Sequence, residues 1–417
     1  MTLAHRIWFT LGALVIYRLG VYVPMPGIDP AAWAEIFRSP AGGILQQFNF
    51  LSGGAVRRLG IFSLGIMPYI TAAIILQLMT FFSPPLKQLN KGGEAGREVL
   101  ARYTLYATLF LVAMQAYGIA VGLEGVGNVV SDSGWLFRLS TVITLTGGTL
   151  LLVWLSQQIT ARGIGNGIAL IILSGILSGI VPELPGSIAG TLELWRHGWL
   201  SAGTLLALML LPVAVTALVA TMERARRRLP IQFAERRAGT RVLPSRSVDL
   251  ALKLNPAGIM PAVLAWWLAS SVAVALSLAT LITRQAHDAA KGLTFGLGYG
   301  TPLHMLVSAA IIFFFAFVYI AFVCDPEDMA EKLKKNGGTL PEIASGEATA
   351  AHLDHVVSRT AAIGATYLSL LILLPEILIS YWALPLSFPS TSLLVLVCAI
   401  LDIEAQVRAE RQFAPHG

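Results

Sequence analysis

Long apolar runs separated by short polar segments make up most of the chain. Because the hydrocarbon core of a bilayer is about 30 Å thick, a helix needs roughly 20 mostly apolar residues to cross it. The pattern predicts ten such spans, at residues 6–23, 61–82, 103–122, 138–158, 166–182, 200–221, 257–281, 302–324, 357–379 and 389–407. We therefore expect an all-α, polytopic membrane protein with ten transmembrane helices.

The apolar run of span two contains a hexapeptide that returns in span seven. "GIMPYI" occupies residues 65–70 and "GIMPAV" occupies residues 258–263. Each copy falls in the second span of a five-span half, and two halves with an odd number of spans must cross the bilayer in opposite senses. The repeat thus predicts two inverted halves, residues 1–182 and 183–417, with the functional site at their interface.

Each copy also places a proline, Pro68 or Pro261, inside an apolar run. Proline in a helix interior removes a hydrogen bond and kinks or breaks the helix, and lipid cannot satisfy the freed carbonyl. Ile66 and Ile70, four residues apart, share one helix face beside the first proline. Two interpretations are open: ordinary helix packing, or a hydrophobic constriction that holds back water and ions. The adjacent proline favours the constriction.

A glycine-rich stretch, "TARGIGNGIALIILSGIL", covers residues 160–177. It does not fit a dinucleotide-binding loop, because such a loop follows a strand and opens a soluble helix. We expect instead that Asn166 caps span five and that the glycines allow helices to approach closely. Beyond them, Ile168 and Ile172 again share a helix face.

Composition and charge agree with a membrane protein and orient it. The chain is 55% hydrophobic and 12% charged with a mean hydropathy of +0.71, whereas soluble domains are about a quarter charged. With the N-terminus inside, the cytoplasmic segments hold 21 of the 29 Lys and Arg residues, the outer segments hold seven, and Arg18 lies near the outer end of span one. By the positive-inside rule both termini are cytoplasmic.

Little in the sequence favours an enzyme, a metal site or a secreted protein. Cys324 and Cys398 lie in apolar context without metal-ligand spacing, and His352 and His355 belong to a polar loop. The spans contain neither an HExxH motif nor paired aspartates. The start of the chain lacks a small-residue cleavage pattern, so we expect no cleavable signal peptide.

Two polar loops of the second half carry the remaining signals. Loop 222–256 is strongly basic. From its residues alone it is interpreted as a topology determinant that is also attracted to anionic headgroups, at about 1 kcal/mol per basic residue. Loop 325–356 is mixed in charge.

Several long motifs resemble one known family. They are "RLGVYVPMPGID", "FNFLSGGAVRRLGIFSLGIMPYITAAIILQLM", "KGGEAGREVLARYTLYATL", "TARGIGNGIALIILSGI", "KLNPAGIMPAV" and "TSLLVLVCAILDIEAQV". In this order, and over essentially the whole chain, they resemble SecY, the pore subunit of the general secretory translocase.

The resemblance implies a clamshell of two five-span halves around a central hourglass pore. The waist of the pore would be a ring of six apolar side chains, which match Ile66, Ile70, Ile168, Ile172, Val263 and Val395. Two of these are valine where the family commonly has isoleucine, so we expect a slightly wider ring.

The resemblance also assigns a plug and a lateral gate. Segment 46–60 resembles the plug that closes the outer funnel, with matches at Phe48, Asn49, Phe50, Ser52, Gly53, Gly54 and Arg57. Spans two and seven resemble the lateral gate through which apolar segments leave into lipid, with matches at Pro68, Gln77 and Pro261.

As a SecY-like channel, the chain would conduct unfolded polypeptides across the bacterial inner membrane and release apolar segments into it. The implied partners are SecE and SecG, the SecA ATPase, the ribosome through its RNA, signal peptides, nascent polypeptides and membrane lipids; no cofactor is implied. The docking stretch matches Arg236, Arg237 and Arg241. In the second docking loop, Ala344 stands where the family usually has an arginine, which leaves the geometry of that contact open.

A rival function from another class is that of a secondary solute transporter, which also uses inverted repeats and broken helices. Transporters that couple to ions usually carry ionisable groups within their spans. Residues 61–79, 164–181 and 257–281 contain no Asp, Glu, Lys, Arg or His, which argues against this rival.

Overall fold

The structure is a computed structural model of the chain. It describes residues 3–38, 49, 52–125, 129–233, 236–238, 241–243, 246–265, 268, 300–341, 343–344, 346–382 and 390–413. Phe48 and Phe50 of the predicted plug, and most of the predicted span 257–281, lie outside the described residues.

Helices dominate the described chain. They are α1 (Leu3–Val21), α2 (Pro30–Arg38), α3 (Ala55–Arg58), α4 (Met67–Phe82), α5 (Pro84–Lys91), α6 (Gly93–Glu124), α7 (Trp135–Arg162), α8 (Gly167–Arg196), α9 (Ala202–Arg224), α10 (Pro302–Val323), α11 (Pro326–Lys335), α12 (Glu347–Trp382) and α13 (Ser390–Phe413). A further helical stretch covers residues 260–265. Of the expectation of an all-α protein, the mostly helical character is confirmed.

Polar side chains mark where several of these helices begin. The Ser201 hydroxyl accepts a hydrogen bond from the Thr204 amide, and the Thr301 hydroxyl accepts one from the His304 amide. The Asp325 carboxylate accepts two, from the amides of residues 327 and 328. Such side chains satisfy amide donors that have no partner within the first helical turn.

Within the described residues, five helical stretches are long and apolar enough to cross a membrane. They are Gly93–Glu124, Trp135–Arg162, Ala202–Arg224, Pro302–Lys335 and Glu347–Leu378. Met67–Thr80 and Gly167–Gly179 are shorter apolar helices. All seven overlap predicted spans, and α6 and α12 begin ten residues before the spans predicted at 103 and 357.

The polar loops of the second half contain strands, which the pattern of apolar runs does not predict. The strands are β1 (Arg226–Phe233), β2 (Arg236–Ala238), β3 (Arg241–Leu243), β4 (Arg246–Lys253) and β5 (Gly338–Thr339). β1 pairs antiparallel with β4 from Arg226↔Lys253 to Phe233↔Arg246, and β5 pairs with the other edge of β1. β2 and β3 form a separate two-stranded ribbon.

Strand β1, helix α11, strand β5 and the first turns of α12 share one apolar core. Its buried members are Leu229, Ile231, Ala330, Leu340, Leu353 and Val356, with Phe233, Leu250 and Leu252 packed against them. The two predicted docking loops therefore fold together as one unit. We call β1–β5, α11 and the first turns of α12 the loop module.

Packing divides the chain into two compact units, Met1–Ala189 with Val395–Gly417, and Gly190–Leu394. The main core of the first unit surrounds Tyr17, Phe62, Leu152 and Ile159. In the second unit, Val357 and Ala361 of α12 pack with Ala257 and Ile320. Helix α12 thus contributes to this cluster and, one residue earlier at Val356, to the core of the loop module.

Candidate functional site

The two copies of the repeated motif have the same local backbone. Gly65 and Gly258 both have φ +58°, a left-handed conformation that glycine adopts without a side-chain clash. A helix begins two residues later, at Met67 and at Met260. The first helical hydrogen bond is also the same in both copies. The Ile70 amide donates to the Ile66 carbonyl, and the Val263 amide donates to the Ile259 carbonyl, both at 3.2 Å.

This geometry corrects the expectation that Pro68 breaks a continuous helix. Residues 61–66 form turns, α4 starts at Met67, and Pro68 occupies one of its first two positions. An amide in the first turn has no intrahelical acceptor, so proline at that position loses no hydrogen bond. The motif is a helix start, preceded by a glycine turn, inside an apolar run.

Four of the six predicted ring residues meet in the apolar core of the first unit. Ile66 is 3% exposed, and Ile70, Ile168 and Ile172 are half-buried and pack against the same cluster. Half-burial leaves each of these three side chains with a free apolar surface. The arrangement favours a surface that excludes water without offering it a hydrogen bond.

The remaining two ring residues lie on other elements. Val395 is half-buried on α13, next to Leu396, which packs against the core of the first unit. Val263 is half-buried in the helical stretch that follows the second glycine turn, in the second unit. It occupies the position equivalent to Ile70, two residues after the proline.

The start of α8 agrees with the expectation for the glycine-rich stretch. The Asn166 side-chain oxygen accepts hydrogen bonds from the amides of Ile168 at 3.0 Å and Ala169 at 3.4 Å, which confirms the predicted cap. A Cβ at Gly167 would lie 1.9 Å from the Ser156 carbonyl oxygen of α7. The two backbones can approach this closely only because residue 167 is glycine.

The described part of the predicted plug is a compact turn that leads into the single-turn helix α3. The Asn49 carbonyl accepts from the Gly54 amide at 2.8 Å, and the Asn49 side chain accepts from the Arg57 amide at 2.8 Å. Ser52 is 4% exposed, and Gly53 and Gly54 both have positive φ. Arg57 is exposed.

Three side chains outside this segment hold its backbone. Tyr17 Oη donates to the Ser52 carbonyl at 3.2 Å. Arg18 Nη1 donates to the Gly53 carbonyl at 2.8 Å and to Ser178 Oγ at 2.7 Å, and Ser178 Oγ lies 3.3 Å from the Gly53 carbonyl. In the sequence Arg18 stands out only as a charge near the outer end of span one, and neither Tyr17 nor Ser178 stands out at all.

A buried asparagine supports the second glycine turn. Asn255 is 2% exposed, and its side-chain amide donates to Glu223 Oε1 at 2.8 Å and to the Gly258 carbonyl at 3.1 Å. Glu223 is in the last turn of α9. Asn255 therefore links the end of α9 to the turn from which the next helix starts.

The predicted gate and docking residues occupy defined elements. Pro68 and Pro261 are buried, and Gln77 is exposed on α4. Arg236 and Arg237 belong to β2 and Arg241 to β3, in the register Arg236↔Leu243 and Ala238↔Arg241. The ribbon that carries these three arginines lies between β1 and β4 in the chain.

Ala344 and the two cysteines, which the sequence also singles out, lie outside these sites. Ala344 is exposed, and its carbonyl accepts from the Thr349 hydroxyl at 2.9 Å. Neither Cys324 nor Cys398 is in a disulfide bond. Among the described residues, no group of three or more His, Cys, Asp or Glu side chains is arranged to hold a metal ion.

The described chain combines apolar helices of membrane-crossing length with two helix starts at the Gly-Ile-Met-Pro motifs, which we call the glycine–proline helix starts. It also has an apolar cluster beside the predicted plug, whose backbone is held by three side chains. Together these features define a polytopic membrane protein of the channel class. The SecY family model matches residues 60–404. The chain belongs to the SecY family.

Two bacterial relatives are similar in sequence to this chain over nearly its whole length. The protein translocase subunit SecY of Vibrio cholerae serotype O1 is 41% identical over 411 residues, covering 97% of this chain and 91% of the relative. The protein translocase subunit SecY of Escherichia coli K12 is 41% identical over 410 residues, with the same coverage.

Solved structures share the fold at low sequence identity. A structure described as a protein-conducting channel has a TM-score of 0.63 at 17% identity and covers 98% of this chain and 93% of its own. The same values hold for a SecY structure whose plug domain is described as stabilising the closed state and maintaining a membrane seal. Sec61 in the canine ribosome–channel complex from the endoplasmic reticulum has a TM-score of 0.58 at 17% identity, covering 99% and 93%.

Proposed function

We propose that this chain is the protein-conducting subunit of a bacterial protein translocase. One observation carries the proposal: the chain is 41% identical, over 97% of its length, to bacterial proteins named translocase subunit SecY. The fold of a protein-conducting channel over 98% of the chain supports it. The chain moves unfolded polypeptides through the membrane and has no catalytic role of its own.

The apolar cluster supplies the chemistry that this function needs. We assign the waist of the channel to Ile66, Ile70, Ile168, Ile172, Val263 and Val395. Dispersion contacts are weak and non-directional, so aliphatic side chains contact any substrate segment without preferring a particular sequence. The same surface holds back water and ions when no polypeptide is present.

A crosslinking experiment tests the waist directly. A photo-crosslinking amino acid is placed at each of the six positions in turn, and a precursor polypeptide is arrested midway across the membrane. We expect adducts with the precursor at all six positions and none at Ile143, which is 62% exposed on the outer surface of α7. An arrested precursor that never reacts with the six positions would contradict the assignment.

A second test concerns the seal. Replacing Ile66 and Ile70 with serine gives the waist groups that bind water, so we expect a larger ion conductance of the idle channel in planar bilayers. Exposed Leu139 and Ile143 on α7, 48% and 62% exposed, provide a matched control with the same two changes to serine. Conductance of the Ile66/Ile70 variant equal to that of the parent would remove the sealing role.

We assign the two glycine–proline helix starts to a lateral gate, with Pro68 and Gln77 on one side and Pro261 on the other. A helix that starts afresh within an apolar run can rotate about the preceding turn without breaking internal hydrogen bonds. The segment 46–60, including Phe48, Asn49, Phe50, Ser52, Gly53, Gly54 and Arg57, is assigned to the plug. Segments apolar enough to stay in lipid leave through the gate.

The loop module is assigned to docking of partners. Arg236, Arg237 and Arg241 lie on a narrow two-stranded ribbon, and arginines attract the phosphates of ribosomal RNA. The ribosome-bound Sec61 structure supports a ribosome as one partner. By family membership we add the SecA ATPase, the SecE and SecG subunits, signal peptides and membrane lipids.

Charge reversal tests the docking assignment. The variant Arg236→Glu with Arg237→Glu should bind ribosomes more weakly, with a shallower dependence on salt, because fewer phosphate contacts release counterions. The matched control reverses Arg226 and Arg227, which are exposed at the root of the same hairpin. If both variants bind as the parent does at low salt, the basic charges serve only topology and headgroup attraction.

We place the chain in the bacterial inner membrane with ten spans in two inverted halves and with both termini in the cytoplasm. The energy for transport comes from a translating ribosome, from SecA with ATP or from the proton-motive force. A solute transporter is not favoured, since the relatives are translocase subunits. The overall proposal is tested by reconstituting the purified complex in vesicles with SecA and ATP, where we expect protease-protected precursor.

A further inference from the structure

We propose that Arg18, aided by Ser178 and Tyr17, is the latch that holds residues 52–60 of the predicted plug in their closed position. This inference rests on the proposed function, because it takes that segment as the plug. It adds the residues that hold the plug and the chemistry of its release.

The latch joins three elements at one backbone carbonyl. Arg18 Nη1, from the last turn of α1, donates to the Gly53 carbonyl at 2.8 Å and to Ser178 Oγ on α8 at 2.7 Å. Ser178 Oγ also lies 3.3 Å from the Gly53 carbonyl and 2.7 Å from the Gly175 carbonyl. Two side chains that are far apart in sequence therefore converge on the turn of the plug.

The neighbouring carbonyl is held by a side chain that is itself fixed. Tyr17 Oη donates to the Ser52 carbonyl at 3.2 Å. The Tyr17 ring is 2% exposed and stacks on Phe62, with centroids 6.0 Å apart. A buried, stacked ring cannot follow the plug outward, so plug movement must break this hydrogen bond.

The fit at the latch requires the plug glycine. A Cβ at Gly53 would lie 2.6 Å from Tyr17 Oη, 3.0 Å from the Gly175 Cα and 3.2 Å from Arg18 Nη1. Gly53 also has φ +68°, which side chains disfavour. A larger residue at position 53 would therefore displace the turn and move its carbonyl away from Arg18.

The charge of Arg18 is held by neutral groups, which makes the latch strong but reversible. Hydrogen bonds to a charged donor are stronger than neutral ones, and the acceptors that the structure gives Arg18 are a carbonyl and hydroxyl groups. Carbonyls of the same kind run along every translocating polypeptide. The guanidinium also borders an open groove of about 450 Å³ along α1 and α8, so it has room to leave Gly53 while the core stays packed.

A second arginine in the same neighbourhood supplies the matched control. Arg58 lies 4.2 Å over the Tyr22 ring, and Arg18 lies 5.6 Å over it. Arg58 donates to the Gly54 carbonyl within its own segment, and its contact with the residue that follows α1 is the stacking on the Tyr22 ring rather than a hydrogen bond. Removal of its charge changes the local field without opening the latch.

The experiment compares Arg18→Gln, Ser178→Ala and Arg58→Gln in the purified translocase complex, with idle ion conductance measured in planar bilayers. The loss of charged hydrogen bonds in Arg18→Gln should raise the conductance about tenfold. Ser178→Ala should raise it about threefold. Arg18→Lys, which keeps the charge, should lie between Arg18→Gln and the parent, and Arg58→Gln, which loses the ring contact with Tyr22 but none of the hydrogen bonds of the latch, should raise the conductance less than Ser178→Ala does.

Parent-like conductance of both Arg18→Gln and Ser178→Ala would overturn the latch, and so would an equal rise in Arg58→Gln, which would assign the effect to local charge. If Arg18→Gln does not accumulate, Ser178→Ala decides alone. Precursor translocation by the parent complex is measured in parallel. A parent that translocates nothing would refute the proposed function, whereas the latch is judged on conductance.

Discussion

The two glycine–proline turns, at residues 65–68 and 258–261, have the same backbone but different supports. In the first, Ile66 is buried in an apolar core, and the preceding backbone lies against α7, where a Cβ at Gly148 would be 2.1 Å from the Ile61 carbonyl oxygen. In the second, Ile259 is half-buried, and the turn is held by the side chain of Asn255.

This difference teaches that the repeated motif specifies a helix start and leaves the strength of its anchoring to the surroundings. Close packing resists displacement because every contact is lost when the backbones separate. A buried polar side chain can exchange its hydrogen bonds for those of water or another group. We therefore expect the first turn to be held more firmly than the second.

The largest expected effect tests the packed support. Gly148→Ala would force its methyl group into the Ile61 carbonyl, so we expect a loss of about 3 kcal/mol in the free energy of unfolding. Gly147, its neighbour on α7, is the control, because a Cβ there would meet no atom within 4 Å. Gly147→Ala should leave stability unchanged or raise it by up to about 1 kcal/mol. Denaturant unfolding in detergent, followed by tryptophan fluorescence, measures both, and equal losses would refute the packed support.

Loss of the polar support by Asn255 should lower the free energy of unfolding somewhat less than loss of the packed support. Asn255→Ala removes two hydrogen bonds from a buried site, and we expect a loss of about 2 kcal/mol. Asn336, exposed at the end of α11 in the same unit, is the control, and its change to alanine should stay within about 0.5 kcal/mol. Thermal unfolding in detergent reports both. An Asn255→Ala variant as stable as the parent would leave the second turn without its proposed anchor.

Equivalence of the two backbones predicts equal effects at the glycines. A side chain at φ +58° is strained, so Gly65→Ala and Gly258→Ala should each cost about 1 kcal/mol. Steric clashes add little to this cost. A Cβ at Gly65 would lie 3.9 Å from Ser52, and a Cβ at Gly258 would meet no atom within 4 Å. Gly118→Ala, in open space on α6, is the control. Unfolding midpoints that differ clearly between the first two variants would break the equivalence.

The smallest expected effect concerns the residues that follow the prolines. Ile70→Val together with Val263→Ile exchanges the side chains at equivalent positions and conserves total volume. We expect a change in stability below about 1 kcal/mol and an idle conductance close to that of the parent. Val263→Ile alone should lower the conductance if residue 263 narrows the waist. A conductance that rises in this single variant would contradict the assignment of Val263.

Helix positions were predictable because apolar runs of membrane length have few alternative folds. The start of α4 was not, because the sequence shows Pro68 inside a continuous apolar run and does not show that Gly65 turns the chain first. The cap at Asn166 was predictable because capping is local. Features that depend on neighbouring residues in the sequence were thus predicted correctly, whereas those that depend on the folded backbone were not.

The strands of the loop module do have a signal in the sequence, although the many arginines of the loop obscure it. Leu229, Ile231 and Phe233 alternate with exposed residues in β1, the period of a half-buried strand, and the observed burial follows it. The latch has no such signal. Arg18 and Gly53 are 35 positions apart, and Arg18 and Ser178 are 160 apart, so only the folded chain brings them together.

Helix α12 joins the core of the loop module to the surroundings of the second turn. It is continuous from Glu347 to Trp382; Leu353 lies in the loop module, and about 16 Å further along a Cβ at Gly364 would lie 3.0 Å from Asn255 Oδ1. The core of the loop module and the side chain that supports the second turn are thus joined by one uninterrupted helix. On the proposed function, we expect a force that a partner applies to that core to reach Asn255 along the helix axis, with no loop in between.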